Sequence, residues 1–409
     1  MSRAALLLLL GCLLPHPARA EGKNQCIVCH AALEAKHKAV LRSFQQDIHN
    51  QKGLSCHSCH GGDPSKADMG EAMSPEAGFV GAPKPAEVPA FCGKCHSQAR
   101  LMKRYNPSVP VDQEEKYWTS RHGERLKAGD EKVATCASCH TAHSILPPKD
   151  PRSTVYAKNV PATCGACHSD AKRMKGYGLP TDQAAKYSGS VHGKALLERG
   201  DSAAPACNSC HGNHGATPPG VADISLTCGQ CHAGNMELFA KSPMASTWGK
   251  KRFHVCATCH GHHDISHPDT ALLDGEKGVC RKCHRPGDPG SRTAEEMKGL
   301  LDGMQSAYEA ADGGLKAAEA KGMDVAAGWD ALQEAKQAFF QARTAVHSFR
   351  VAAVQEKVTS GLAAAQKAAE TARKAVWEFS RRRIGLGVAT LLITFLVVVL
   401  CLKIRDLES

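Results

Sequence analysis

The chain has few aromatic residues and no sustained run in which apolar and polar residues alternate. Phe, Trp and Tyr make up 5% of its 409 residues. Alternating runs are the signature of strands in sandwiches and barrels, and aromatic side chains supply much of the volume of an ordinary core. These absences exclude a sheet-based fold and indicate that most of the chain needs another source of hydrophobic core.

Cysteine is abundant, but no pair is left over for a structural disulfide. Of the 20 cysteines, all but Cys12 and Cys401 fall in nine Cys-x-x-Cys-His pentapeptides, two in each. The thiols of these motifs are Cys26, Cys29, Cys56, Cys59, Cys92, Cys95, Cys136, Cys139, Cys164, Cys167, Cys207, Cys210, Cys228, Cys231, Cys256, Cys259, Cys280 and Cys283. The histidines that close them are His30, His60, His96, His140, His168, His211, His232, His260 and His284.

This pentapeptide has the spacing that attaches haem. Two thiols three positions apart can add across the two vinyl groups of one haem, and the next residue's imidazole can bind the iron. A single copy could equally be a zinc knuckle or a redox dithiol, but zinc would need a second pair of ligands at each site. The sequence therefore predicts nine covalently bound haem c groups and a multihaem c-type cytochrome.

Residues 21–290 are predicted to form the haem domain. They supply 270 positions for nine motifs, or 30 each, so the porphyrins themselves are expected to form the core, wrapped by short helices and loops. The fold is thus predicted to be mainly α with much irregular loop. The formal charge of +11 does not imply nucleic-acid binding, because the propionates of nine haems contribute up to about −18.

An internal repeat lies within this domain. Residues 92–123 match residues 164–193 in order, ending in Tyr-x-x-Ser-x-His-Gly at Tyr117 and Tyr187. Each copy continues to a second motif of the form Cys-x-x-Cys-His-x-x-His and then to a double proline. A shortened third copy runs over residues 228–263.

The extra histidines are predicted to be distal iron ligands, because two imidazoles make a six-coordinate iron suited to electron transfer. The histidines assigned this role are His37, His49, His122, His143, His192, His214 and His263. The candidates left undecided are His57, His254, His262, His267 and Met244. His347 lies in a later helical segment and is interpreted as an ordinary helix residue.

Two positions depart from the repeat. Trp248 stands where the second copy has His192, and Asp63 stands where later copies have His143 and His214. The favoured interpretation is that a nearby residue such as His254 supplies the missing bond. The alternative is a five-coordinate haem that is open to a small molecule.

The two ends of the chain predict export and a membrane anchor. Residues 1–20 combine a basic residue, a short apolar stretch and Ala-Arg-Ala, as a signal peptide does; a lipobox ending at Cys12 is the alternative. Residues 384–402 are uncharged and would span about 28 Å as a helix. The preceding arginines argue for the opposite orientation, but thioether haem is attached outside the cytoplasm. The haem domain is therefore predicted in the periplasm, anchored to the inner membrane, with residues 403–409 as a cytoplasmic tail.

Residues 291–383 lack cysteine and proline and are predicted to be helical. Apolar residues spaced three and four apart run from Met297 to Ala318. A break at Gly322, with Asp324 as N-cap, starts a second helical run that could continue into the membrane span, kinked at Gly361. We expect a helical hairpin or stalk, whose face of alanine and aromatic residues favours a homo-oligomer.

The nine motifs, the Tyr-x-x-Ser-x-His-Gly segments and the Cys-x-x-Cys-His-x-x-His segments resemble multihaem cytochromes of the doubled Cys-x-x-Cys-His group of anaerobic respiratory bacteria. The resemblance covers roughly residues 24–285 and implies electron relay between the quinone pool and periplasmic or outer-membrane partners. A C-terminal helical segment ending in one span is also similar to the hydroxylamine oxidoreductase family, although that family's cross-linking tyrosine and open catalytic haem match no residue here.

These observations predict an electron carrier without catalytic residues. It would accept electrons from a quinol-oxidising membrane partner and pass them to a periplasmic cytochrome or terminal reductase. The alternative is an oxidoreductase that acts on a small nitrogen or sulfur oxyanion, of the hydroxylamine, nitrite or tetrathionate type, at one open haem. A third hypothesis, an adaptor that assembles a respiratory complex through its stalk, is compatible with the first.

Overall fold

Short helices separated by loops make up the first part of the chain, and three long helices make up the rest. The computed structural model describes residues 24–218, 221–251, 255–274 and 278–408, and these contain no strand. The prediction of a mainly helical chain with much irregular loop is confirmed. The predicted signal peptide, with Cys12, and the candidate ligand His254 lie outside the described residues.

The α-helices of the described residues are α1 (Gln25–Ala32), α2 (Ala35–Phe44), α3 (Ile48–Gln51), α4 (Cys56–His60), α5 (Met69–Ala72), α6 (Val88–His96), α7 (Ala99–Tyr105), α8 (Gln113–Thr119), α9 (Arg121–Lys127), α10 (Cys136–His140), α11 (Val160–His168), α12 (Ala171–Met174), α13 (Gln183–Gly189), α14 (Val191–Leu197), α15 (Cys207–His211), α16 (Ala233–Ala240), α17 (Pro243–Lys251), α18 (Ala257–His260), α19 (Pro289–Glu319), α20 (Ala326–Ala345) and α21 (Val351–Glu408). Short 3-10 helices span Pro75–Ala77, Pro85–Glu87, Lys175–Tyr177, Ile224–Gln230, Thr270–Leu272, Cys280–Lys282 and Val346–Ser348.

The chain divides into two compact units. One runs to Ser188 and also contains His192–Gly220, whereas the other contains Gly189–Val191 and everything from Val221 onward. The predicted boundary between haem domain and stalk, at residue 290, falls inside the second unit. That functional boundary stays a prediction.

The repeat seen in the sequence is a repeat of helices. The first motifs of the two full copies end α6 and α11, which have equal lengths and begin with Val-Pro, where proline suits the first turn. The second motifs form α10 and α15. In each of these two helices the serine within the motif accepts a hydrogen bond from the backbone N–H just before it, at 3.0 Å for Ser138 and 3.1 Å for Ser209. The motif therefore caps its own helix.

Three helices, α19, α20 and α21, form a bundle in the second unit. Asp288 caps α19 by accepting a bond from the Ser291 N–H at 2.8 Å, and Gly322, with φ 75°, lies in the predicted break. The second run does not continue as one helix: α20 ends at Ala345, a 3-10 turn follows, and α21 packs back on both other helices. The predicted hairpin is thus a three-helix bundle. Its α21 passes through Gly361 without a break, so the predicted kink there is wrong. Glycine suits this position because an added Cβ would lie 1.8 Å from the Met304 Cε.

The bundle has two core clusters, stacked along its length. One joins the N-terminal part of α19 to the C-terminal part of α20 and the N-terminal part of α21, through residues such as Met304, Ala342 and Val354. The other joins the C-terminal part of α19 to the N-terminal part of α20 and the middle of α21, through residues such as Leu315, Leu332 and Ala372. Alanine is frequent in both clusters and lets the helices approach closely.

The C-terminal part of α21 continues past the bundle. Its most apolar window has a mean hydropathy of 2.8 and is not buried at all. Leu391 and Phe395 are 72% and 68% exposed. By length and composition α21 can cross a membrane, and it fits a single spanning helix that includes the predicted residues 384–402.

Candidate haem sites

Five of the motif histidines lie opposite a second histidine at nearly the same distance. The ring centroids are 6.0 Å apart for His49–His96 and His140–His214, and 6.1 Å apart for His60–His143, His122–His168 and His260–His347. Two imidazoles bound on opposite sides of one metal, each at about 2 Å, have centroids about 6 Å apart. The spacing of these pairs therefore fits an iron between the two rings.

Four of the predicted distal histidines occur in these pairs: His49, His122, His143 and His214. A further predicted ligand, His37, has its ring centroid 5.4 Å from that of His30, and its Nδ1 is buried without a hydrogen-bond partner. The ring of His263 lies 4.9 Å from that of His262. The ligand roles of these residues, and those of His192, His211, His232 and His284, stay predictions.

The fifth pair contains His347, which the sequence interpretation treated as an ordinary helix residue. It lies in the 3-10 turn between α20 and α21 and is half-buried. One sequence signal could have marked it, since it is the single histidine between residues 291 and 409.

Hydrogen bonds orient several of these imidazoles. The Nδ1 atom of His60 donates to the Gly81 carbonyl at 2.7 Å, that of His347 to the Thr344 carbonyl at 3.0 Å, and that of His49 to Asp47 at 2.9 Å. A proton held on Nδ1 leaves Nε2 as the free nitrogen for a metal. Burial, the largest cause in each case, lowers the pKa of His30, His96, His122, His140, His143, His168, His214, His260 and His347. These imidazoles are thereby kept in the neutral form that binds iron.

Asp47 organises two of the histidine pairs at once and was not singled out from the sequence. Its fully buried carboxylate accepts bonds from the His49 backbone and ring and, at 2.7 Å, from the Ile145 N–H. Ile145 follows His143 by two residues, and its carbonyl accepts from Ile48 N at 2.8 Å. Burial by itself raises the pKa of Asp47, but the bonds from His49 and Ile145 outweigh it and hold the pKa below its usual range. The Asp47 carboxylate thus positions both His49 and the loop that carries His143.

We expect Asp47→Asn to raise the midpoint potential of one haem and to destabilise the chain by about 1–3 kcal/mol, because it weakens bonds to buried donors. If His49 binds a haem iron, loss of the carboxylate would make it a weaker donor to the ferric form. A carboxylate with a depressed folded pKa stabilises fully above its unfolded pKa of about 3.9 and loses this contribution as pH falls through the folded pKa. Spectroelectrochemistry and acid unfolding measure both effects.

The exposed N-cap variant Asp170→Asn is the matched control and should leave both quantities unchanged. Equal acid unfolding curves for Asp47→Asn and the wild type, with equal potentials, would contradict the assigned role of Asp47.

The Tyr-x-x-Ser-x-His-Gly segments, residues 117–123 and 187–193, fix the position of their histidine. The Tyr117 hydroxyl donates to the Ala134 carbonyl at 2.9 Å. This bond connects α8 to the loop segment just before the next motif. Ser120 caps α9 by accepting from the Gly123 N–H at 3.1 Å. Gly123 lies against the Tyr117 carbonyl, only 2.1 Å from where a Cβ would be. In the second copy the Tyr187 hydroxyl donates to the Pro205 carbonyl at 2.8 Å. The segment therefore holds the helix that carries His122 in one place.

Thiols of successive motifs lie side by side within each unit. The pairs close enough to hydrogen-bond are Cys92–Cys136, Cys164–Cys207 and Cys228–Cys256. Burial, and after it charge repulsion from a neighbouring thiol, also raises the pKa of Cys26 beside Cys56, of Cys59 beside Cys95, of Cys139 beside Cys164 and of Cys259 beside Cys280. Attachment sites are therefore neighbours from the first motif to the sixth and from the seventh to the ninth.

The two departures from the repeat have structural roles of their own. Asp63 accepts bonds from the backbone and hydroxyl of Ser65, at 2.9 and 2.6 Å, and so shapes a turn. Trp248 is 7% exposed, and its Nε1 donates at 3.2 Å to the Val255 carbonyl, next to the eighth motif. Its ring also packs edge-on against Phe239. Trp248 thus ties its helix to the loop before a motif, as Tyr117 and Tyr187 do in the full copies.

Known proteins with similar sequences are cytochromes, which agrees with the predicted haem attachment sites. Residues 48–169 match the family described as Cytochrome c3. The C-type polyheme cytochrome OmcC of Geobacter sulfurreducens is 22% identical over 127 residues, which are 31% of this chain and 15% of OmcC. The C-type polyheme cytochrome OmcB of the same species is 27% identical over 126 residues, 29% of this chain and 14% of OmcB. No solved structure matches the chain.

The motifs, the imidazole pairs and these matches define a multihaem c-type cytochrome with covalently bound haem c. The chain spans about 15% of the length of the curated relatives it matches. The weaker resemblance to hydroxylamine oxidoreductases is not shown by these matches.

Proposed function

We propose that the protein is a nine-haem electron relay. The observation that carries this proposal is the unbroken adjacency of attachment sites within each unit, combined with imidazole pairs spaced for an iron. Neighbouring haems allow electrons to pass from iron to iron. A haem held between two imidazoles changes its geometry little on reduction and has no free position for substrate.

The chain's own residues would hold the haems and set their properties. The cysteines attach each haem, the motif histidines supply the proximal ligands, and the paired histidines supply the distal ones. Haem supplies the one-electron redox chemistry when bound. The hydrogen bonds that His49 donates to Asp47 and His60 donates to the Gly81 carbonyl would tune how strongly each imidazole donates to its iron.

We propose that the haem domain works in the periplasm and is anchored to the inner membrane by α21. The predicted signal peptide and the apolar end of α21 support this orientation, and residues 403–409 would form the cytoplasmic tail. The part of α21 before the predicted span, Val351 to Arg383, has 33 residues and is about 50 Å long. The turn that carries His347 therefore lies about 50 Å along the helix from the start of the span.

The length of α21 before the predicted span favours a quinol-oxidising membrane partner that extends far enough from the membrane to donate electrons to the relay. A single electron transfer does not cross about 50 Å, so direct reduction of the His260 haem at the membrane surface is disfavoured. The acceptor would be a periplasmic or outer-membrane redox protein, such as a cytochrome or terminal reductase of anaerobic respiration. A homo-oligomer formed through the bundle stays part of this proposal.

Haem quantification and low-temperature EPR of the purified, oxidised protein test the relay. We expect nine haems per chain, with the paired sites giving low-spin signals that do not change when cyanide is added, or nitric oxide to the reduced form. Fewer haems than motifs would contradict the proposed number. High-spin signals from most haems would contradict the assignment of paired ligands.

A specific observation also favours a second candidate, one open haem at His284. His122 of the first full copy faces His168, which ends the first motif of the following copy. In this register, the histidine in the middle of one copy faces the first motif after that copy. Trp248 stands at this place in the third copy, and the first motif after that copy ends at His284. An indole cannot bind iron in place of an imidazole. The Nδ1 atom of His284 lies 3.2 Å from Asp288, and such a carboxylate strengthens a proximal ligand. We propose this haem as the site where a small nitrogen or sulfur oxyanion could react.

Nitric oxide titration distinguishes an open haem from a closed one. An open site should take up one equivalent per chain, and Trp248→His should abolish this uptake by restoring a ligand. If the wild type takes up none and His254→Ala takes up one equivalent, then His254 closes the site and the second candidate is wrong.

A further inference from the structure

The distal ligands follow an order along the chain. His143 belongs to the fourth motif and faces His60 of the second, and His214 belongs to the sixth motif and faces His140 of the fourth. In these two Cys-x-x-Cys-His-x-x-His segments the last histidine therefore faces the motif two places earlier in the chain. This order also accounts for Asp63, because the paired histidine comes from the motif two places further along the chain, and no motif lies two places before the second.

By the same order, the histidine that faces the eighth motif would come from a tenth motif, and the sequence has only nine. The histidine of the eighth motif, His260, is the last that belongs to a Cys-x-x-Cys-His-x-x-His segment, since Arg285-Pro286-Gly287 follows the ninth motif. The residue that faces His260 at 6.1 Å is His347, and the two rings are inclined by 27°. The helical bundle thus fills the place of the missing motif.

The turn between α20 and α21 is built to present His347. Phe349 has φ 53° and ψ 31°, a left-handed conformation that is rare for an aromatic residue, and this reverses the chain without a glycine. The buried Ser348 hydroxyl donates to the Ala345 carbonyl at 2.7 Å, and the Phe349 ring packs edge-on against Phe239. Such a conformation persists only where surrounding contacts hold it, and it often marks a functional site.

Two further contacts orient His347 and connect its turn to the eighth motif. Its Nδ1–H donates a hydrogen bond to the Thr344 carbonyl, so Nε2 is the ring nitrogen left for a metal. Arg343, in the last turn of α20, donates to the carbonyl of Pro268, eight residues after His260. The loop that follows the motif and the helix that carries His347 are therefore joined beside the site.

We propose that His347 is the distal iron ligand of the haem attached through Cys256 and Cys259. The helical bundle is then part of a haem site and not only a spacer between haems and membrane. This inference rests on the proposed haem content but not on the partners or direction of electron flow. It accounts for the orientation of the His347 ring, for its burial beside His260 and for the left-handed residue that follows the turn.

The test is EPR of purified, haem-loaded His347→Gly, with and without added imidazole. We expect the haem count to equal that of the wild type and a high-spin ferric signal to rise from background to one haem per chain. Millimolar imidazole should fill the vacated space and restore the low-spin spectrum. Val346→Gly is the matched control: it loosens the same turn but keeps the ligand, so no high-spin signal should appear.

A second variant covers the outcome in which His347→Gly does not fold. His347→Met retains an unbranched side chain whose sulfur can bind iron, and a methionine ligand raises the midpoint potential of a haem. One haem per chain should therefore titrate at a higher potential. A wild-type spectrum and titration for either folded variant would overturn the ligand assignment while the haem count still supports the relay. A wild type without haem would instead overturn the proposed function itself.

Discussion

Replacing Gly123 by alanine is expected to turn one low-spin haem into a high-spin haem and to destabilise the protein by about 3 kcal/mol, the upper range for overpacking. The added Cβ would lie 2.1 Å from the Tyr117 carbonyl oxygen and 2.8 Å from the Trp118 Cα. Both are backbone atoms, so no side-chain rotation can relieve the clash. The helix that carries His122 must then move away from His168, which faces it at 6.1 Å.

EPR and thermal unfolding of the haem-loaded Gly123→Ala protein measure this effect. Gly176→Ala is the matched control, because an added Cβ there has no atom within 4 Å and φ is not positive. Gly193→Ala should behave like Gly123→Ala, since its Cβ would lie 1.9 Å from the Tyr187 carbonyl. If Gly123→Ala kept every haem low-spin at wild-type stability, the segment would not position His122.

Ending the chain after Ser380 is expected to move nearly all of the protein from the membrane fraction to the soluble fraction without changing its haem spectrum. The deletion removes the exposed apolar part of α21, which is long and apolar enough to cross a membrane. It spares the bundle, because the core clusters extend no further than Val376. The arginines that follow Ser380 are removed too, including Arg381, whose guanidinium carbon lies 4.7 Å from the centroid of the Trp377 ring.

Fractionation of cells that express each form, followed by absorption spectra of both fractions, measures this effect. The full chain with Trp377→Ala is the control: it should stay in the membrane fraction, since the spanning segment is intact. A truncated protein that still required detergent for release would point to a second anchor, and the alternative lipidation at Cys12 would then be tested first.

The sequence predicted the fold class but not how the long helices are connected. Short helices around the motifs and a terminal apolar helix follow from local sequence, because capping and hydropathy act over a few residues. The third helix of the bundle did not follow, since the turn at Phe349 contains neither glycine nor proline. Packing against Phe239 holds that residue in a conformation that its own sequence does not favour.

The candidate site divides in the same way. Histidines that recur in the repeat, such as His143 and His214, could be named as ligands from their register alone. Asp47 and His347 could not, because each acts through a contact with a segment 87 or more residues away: Ile145 lies 98 residues from Asp47, and His260 faces His347 across the bundle turn.

The sequence by itself determined the cofactor chemistry and the number of attachment motifs, because both thiols and the proximal imidazole of each motif lie within five consecutive residues. It also determined that the chain is helical and ends in an apolar segment. Only the tertiary structure decided which imidazole faces which and that the bundle brings His347 to the eighth motif. The reason is physical: a distal ligand approaches the opposite side of the iron, and the segment that reaches that side is chosen by packing and not by position in the chain.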